Sequence, residues 1–381
     1  PSVAQTPSRA ARRVAHPRLR KLAESAAILL VVVLPVLLAF VAIDQPPGDA
    51  ELARVEQAVF PERANVSEPL QMYYGWTVPA GAAAQWGESA GRLAVTTRAR
   101  FAGMLALFVL SAQVYLLMLM VRGRATGVLS CLLLAVLPPV FREGFVLRPE
   151  PCATVFGMLG ILALAGYPLL QQRSRRRGVG GWVSHLAIWL VVGSTFALAC
   201  ACLRNAVIYL AVAAGTLLLS VLALGFLWPR AARGKHPLHW PLRAAARRYA
   251  PWMMVLLCAG AMLFVVLVQI DGQRIPEATK TSVGLLPANF FAKAGVLSCA
   301  VAGVLRLGLG VGLRLGRLRR VRPDAVLLIY VAALLLQHAI HGQGTADALP
   351  AALALACLSG DGAMTLVVLT VSRFAKRQRG G

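Results

Sequence analysis

Charge is scarce in this sequence. Only 14% of its 381 residues are Asp, Glu, Lys or Arg, while 58% are hydrophobic and the mean hydropathy is +0.68. That excludes an ordinary set of soluble domains and describes a polytopic membrane protein. A P-loop is absent too: "GLGVG", Gly308 to Gly312, closes an apolar run with no Lys-Ser/Thr after it, and reads as a site of close helix packing. All seven Cys (131, 152, 200, 202, 258, 299 and 357) lie in or beside apolar runs, where a thiol behaves as a small hydrophobe. The "CAC" at 200–202 has no His or further Cys at ligand spacing, which argues against a zinc site or a disulfide framework. No long repeat is visible.

What is present is a series of apolar runs. Crossing a hydrocarbon layer of about 30 Å takes roughly 20 helical residues. Ten stretches qualify as candidates: 23–43, 101–121, 125–141, 152–170, 182–203, 205–228, 251–270, 290–310, 324–340 and 347–372. The third and ninth are cut short by "LPPVFREGF" and "LLLQHAIHG". The first is followed by a polar loop over 44–100 with no small-residue cleavage site, so it reads as an uncleaved span. The expected organisation is all-α: a basic tail (1–22), one transmembrane domain of about ten helices (23–372) with a large first loop (44–100), and a second basic tail (373–381).

The net charge of +24 would suit nucleic acid if it were spread over a surface, but 28 of the 39 Lys and Arg fall in six clusters that alternating spans put on one side. By the positive-inside rule that side is the cytoplasm and holds both termini; no nucleic-acid partner is implied. Twelve of the 15 acids fall in the opposite loops. An ordinary solvated outer face accounts for that, as does an outward site built from carboxylates.

The outward loops are where chemistry has room. In the first, "PPGD" breaks the chain, and "DAELARVEQAVF" then puts Leu52, Val55 and Val59 on one helical face, as in a helix lying on the membrane surface. Asp49 stands at its start, as an N-cap or as a carboxylate held at the membrane boundary. Tyr73, Tyr74, Trp76 and Trp86 suit interfacial anchors. The turn "FREGFVLRPEP" carries Arg142, Glu143, Arg148 and Glu150, with Pro149 fixing the directions in which Arg148 and Glu150 leave the chain. Charges so close to hydrocarbon are paired, hydrated or functional. Arg204, Lys280, Lys293, His338, His341 and Asp347 reach the same level. Cations facing carboxylates there suit an anionic lipid headgroup and a proton transfer.

At these residues the chain resembles a family, the GT-C glycosyltransferases, membrane enzymes that take sugars from polyprenyl-phosphate donors. "GDAELARVEQAV" is similar to the acidic start and helix of their first outer loop, with Asp49 at the position of the catalytic carboxylate. "LRPEP" at 147–151 looks like a turn of the mycobacterial arabinosyltransferase branch, and "HGQGTADALPAALALACLSG" is similar to the opening of a late span in many relatives. Two features depart from the family. The usual adjacent acidic pair is here Asp49 and Glu51, one residue apart, with Asp44 competing for the role, and the arabinosyltransferases' large C-terminal soluble domain has no counterpart.

The resemblance implies an inverting hexosyl- or pentosyltransferase of the bacterial plasma membrane, its active site facing outward. Asp49, or Asp44, would act as general base on an acceptor hydroxyl, with Glu51 beside them. Arg148 would bind the donor phosphate, supported by Arg204, Lys293 and His341, while Glu150 and His338 orient their neighbours. The partners would be a polyprenyl-phosphate sugar, a glycan, lipid or protein acceptor, and membrane lipids. Asp44, Asp49 and Glu51 could ligate a cation, but protein cations suffice for one leaving phosphate, so no metal or other cofactor is expected. The rival reading is a transporter or flippase for an anionic lipid or lipid-linked sugar. It rests on the mid-span acid Asp361, which would line a pathway, cap a broken helix or mark an early end of its span.

Overall fold

In a computed structural model of the chain, the described residues are 9–41, 43, 51, 92–144, 149–174, 179–203, 206, 208–216, 285–312, 323–341 and 348–379. All regular structure among them is helical. In chain order the helices are α1 (Arg9–Val41), α2 (Arg92–Val121), α3 (Arg124–Ala135), α4 (Pro138–Glu143), α5 (Pro149–Ser174), α6 (Val179–Cys202), α7 (Phe290–Gly312), α8 (Pro323–His341) and α9 (Ala348–Arg379). Residues 208–216 form a further helical segment.

Four stretches, 21–41, 103–121, 290–310 and 348–375, are long and apolar enough to cross a membrane; 124–135, 150–166, 190–200 and 323–337 are shorter apolar helices. Of the ten expected spans, the seventh and most of the sixth fall outside the described residues. The third is not continuous. Pro138 and Pro139 lack the N–H groups that α3 would need to continue, so α3 stops at Ala135, Leu137 turns extended, and α4 restarts with proline in its first turn. The 12 residues of α3 rise only about 18 Å. The ninth, by contrast, runs unbroken through "QHAIH" to His341.

The outside of the bundle is as apolar as its inside. Leu29, Leu30, Phe40 and Val41 on α1, Val301, Leu305 and Leu309 on α7, and Leu366, Val367 and Leu369 on α9 are all exposed. Exposed rows of this kind on spanning-length helices are solvated by lipid, so the chain is an integral membrane protein.

Contacts between helices give their directions. Helix α2 turns back into antiparallel α3 through Gly123, whose φ of 119° suits only glycine, while the N–H groups of Arg122 and Gly123 both donate to the Met118 carbonyl. Tyr115 packs on Gly127, and the Cys131 thiol donates to the Ser111 carbonyl. Helices α5 and α6 are antiparallel, with Phe196 seated on Gly160 and the Cys152 and Cys202 thiols together near one end. Tyr209 fills the space over Gly157 and stacks between Phe196 and Tyr330, at centroid distances of 6.0 and 6.2 Å. The Tyr330 hydroxyl donates to the Pro350 carbonyl at 3.1 Å, so this aromatic column ties α6, 208–216 and α8 to the start of α9.

Helices α7 and α9 run parallel and very close. A Cβ on Gly303 would meet the Leu358 carbonyl, one on Gly362 would meet the Cys299 carbonyl, and Ser359 donates to the Val296 carbonyl at 3.1 Å. This corrects the reading of "GLGVG": Gly308 and Gly310 face open space, and the close packing belongs to Gly303 on the same helix.

Candidate functional site

Arg100 organises one end of the bundle. It stands where the polar start of α2 meets the apolar run from Phe101, and its guanidinium is buried. Nε donates to Glu51 Oε1 at 2.9 Å and Nη2 to Oε2 at 2.7 Å, a bidentate pair with both side chains no more than 5% exposed. Nη1 of the same guanidinium donates to the Ile43 carbonyl, just beyond the end of α1. One side chain contacts both Ile43 and Glu51, and Asp44 and Asp49 are among the seven residues between these two in the chain, which lie outside the described residues.

Glu51, Lys293, Glu150, His338 and His341 can be placed in the structure. Asp44, Asp49, Arg148 and Arg204 lie outside the described residues, as do the four anchoring aromatics and the surface helix except for Glu51. Glu150 is buried in the first turn of α5, where its charge complements the helix N-terminus and its carbonyl accepts from Thr154. Lys293 is exposed in the first turn of α7, whose start is capped by the Asn289 side chain accepting from the Phe291 N–H at 2.9 Å. The backbone of His338 and His341 belongs to the last turn of α8. No group of three metal-ligating side chains occurs among the described residues.

A second charged cluster sits at the other end of α2. Asp361, fully buried, accepts from Arg306 Nη1 on both oxygens, at 2.8 and 2.9 Å, and from Arg122 Nη1 on Oδ1 at 3.1 Å. Arg122 also donates to the Asp361 carbonyl and to Thr365. Helix α9 continues through Asp361 without a break, so this acid neither caps a broken helix nor ends its span early. The 22 residues from Arg100 to Arg122 rise about 33 Å as helix, close to the thickness of a hydrocarbon layer, and no charge lies between them.

Arg100, Arg122 and Arg306 were all missing from the candidate set read from the sequence. The available signal was position: each adjoins or enters an apolar run, where a charge needs a partner.

The fold so described defines a class, a helical integral membrane protein with, among the described residues, a buried ion-pair cluster at each end of a spanning helix. No family model matches the chain, and no curated protein matches it in sequence. Solved structures do match in fold. The archaeal oligosaccharyltransferase AglB from Archaeoglobus fulgidus, in complex with an inhibitory peptide and a dolichol-phosphate, aligns with a TM-score of 0.58 at 11% identity over 95% of this chain and 52% of that one. The apo form of the A. fulgidus oligosaccharyltransferase gives 0.56 at 13% identity over 92% and 52%. The form tethered to an acceptor peptide containing the NVT sequon gives 0.54 at 14% over 91% and 50%. This chain therefore shares a fold with these structures and spans about half their length.

Proposed function

We propose that this protein is a GT-C membrane glycosyltransferase that moves a sugar from a polyprenyl-phosphate donor to a glycan, lipid or protein acceptor, and that the end of the bundle organised by Arg100 faces outward and carries the active site. The observation that carries the reading is the Arg100 clasp. A buried guanidinium joins Ile43 to Glu51, and Glu51 with Asp49, Asp44 competing for the same role, is the acidic group that resembles the family's motif, in a fold shared with an enzyme solved with a dolichol-phosphate bound.

The chemistry follows from that placement. Asp49, with Asp44 as the competing candidate, takes the proton of the acceptor hydroxyl as its oxygen attacks the anomeric carbon from the face opposite the phosphate. The bond from anomeric carbon to phosphate oxygen breaks, the configuration inverts, and polyprenyl phosphate leaves with its charge increased. Arg148 stabilises that charge through its planar fork, assisted by Arg204, Lys293 and His341, and the stabilisation is greater in the transition state than in the ground state. Both Glu51 oxygens already accept from Arg100, so Glu51 acts by positioning the loop rather than as base. Glu150 orients the turn that precedes α5. The acceptor peptide of one oligosaccharyltransferase structure favours a protein acceptor, without excluding glycan or lipid.

The transporter reading loses its main support, because the Asp361 carboxylate is held by two arginines inside an unbroken helix. The test is mass-spectrometric profiling of envelope glycans and lipid-linked sugars in cells lacking the protein, complemented by wild type or by Asp49→Asn. Loss of one sugar with accumulation of its lipid-linked donor, repaired by wild type alone, is the expected result. Full repair by Asp49→Asn would remove Asp49 as the base, and an unchanged profile in the deleted strain would sink the transferase reading.

A further inference from the structure

The Cys152 and Cys202 sulfurs lie 3.8 Å apart, at facing ends of α5 and α6 and 50 residues apart in the chain. Both thiols are buried, and the Cys202 thiol donates to the Cys152 sulfur. Two other cysteines are placed differently: Cys131 donates to a backbone carbonyl, and Cys200, two residues before Cys202 on the same helix, is buried. An S–S bond is about 2.05 Å long, so closing the gap takes about 1.8 Å, within reach of side-chain rotation at two helix ends already in contact.

We propose that Cys152 and Cys202 are joined by a disulfide in the mature protein, a staple between α5 and α6. The inference rests on the outward orientation given above, because a disulfide persists in an oxidising compartment and not in the cytoplasm. The oxidant is a thiol–disulfide oxidoreductase of the outer compartment. One cysteine thiolate attacks its disulfide to give a mixed disulfide, and the second cysteine displaces the oxidoreductase. Two S–H bonds are lost and one S–S bond forms; the two electrons pass to the oxidoreductase, which leaves as a dithiol holding the two protons. Burial sets the timing, since the exchange has to occur while the helices are being inserted and the thiols are still open.

The staple has a defined neighbourhood. Cys152 follows Glu150 by two residues, and Cys202 precedes Arg204 by two. The bond joins α5 and α6 close in the chain to the donor-phosphate candidates Arg148 and Arg204.

A thiol count on the denatured full chain tests this without reference to activity. Protein made in a host with an oxidising outer compartment is trapped in acid, unfolded in detergent and alkylated with a mass-tagged maleimide before and after reduction. Five tags before reduction and all seven after it are expected, along with one disulfide-linked peptide pair containing Cys152 and Cys202. Each of Cys152→Ser and Cys202→Ser should carry six tags before reduction. The Cys200→Ser variant should carry four, because its bridge is intact. Seven tags on the unreduced wild type, or a linked pair involving another cysteine, would overturn the proposal. Because wild type is scored unfolded, a variant that fails to fold does not blur the result. A failed glycan-profiling experiment would leave the count untouched.

Discussion

The two ends of α2 solve the same electrostatic problem in different ways. At one end Arg100 and Glu51 form a one-to-one bidentate pair, and the third arm of the guanidinium reaches a backbone carbonyl. At the other, one carboxylate, Asp361, serves two arginines from two other segments, and Thr365 takes part. The first pairing joins Glu51 and Ile43 to the start of α2; the second binds α7, α9 and the α2–α3 turn to one another. Burial of an ion pair is therefore not in itself a sign of chemistry. Under the proposed function, what separates the two is that the Arg100 pair adjoins in the chain the candidate bases Asp44 and Asp49.

The comparison can be broken in order of expected effect. Asp49→Asn removes the proposed base and should lower the proposed transfer by about 10²–10⁴-fold, with melting of the purified protein unchanged. Should activity survive that substitution and vanish in Asp44→Asn, the loop keeps its role and the base changes. Arg100→Ala leaves Glu51 buried without the guanidinium that holds both its oxygens, a loss of about 3–5 kcal/mol by denaturation. The paired replacement Arg100→Leu with Glu51→Leu should recover most of that stability and none of the activity. Recovery of both would make the clasp purely structural, like its counterpart at the other end.

Smaller effects belong to the second cluster. Arg122→Gln leaves Asp361 still bridged by Arg306, so the loss should be about 1–3 kcal/mol, clearly below that of Arg100→Ala, with turnover per folded molecule unchanged. A fall in turnover there would revive a pathway through Asp361. Thr365→Ala should cost about 1 kcal/mol, read as a small shift in thermal midpoint.

How much of this was legible beforehand depended on distance along the chain. The membrane class follows from composition and the apolar runs, which also mark the end of α2, both edges of α7 and the start of α9, whereas α2 begins nine residues before its run and α9 continues seven beyond its own. "LPPV" gave fair warning of the break after α3, because proline acts on its own backbone. The Arg100 clasp joins residues 49 apart in the chain, a pairing that local periodicity does not signal, so Arg100 reads only as a charge of the first outward loop. Asp361 was conspicuous as a mid-span acid, yet its partners were hidden for another reason: the orientation rule had already used Arg122 and Arg306 as inner charges, so nothing asked for a second explanation. Glycine misled in a similar way. "GLGVG" is dense in glycine and faces open space, whereas isolated Gly303 and Gly362 make the contact, and only the partner helix tells them apart. Of the candidate site, the loop was legible as acidic and the residue that pairs with Glu51 was not.

That contact between α7 and α9 has a mechanical consequence. An interface filled with side chains can yield to a load by changing rotamers, but where a glycine backbone rests on a carbonyl at Gly303 and again at Gly362 there is no rotamer to change. The two helices therefore bend as one beam, without slack between them.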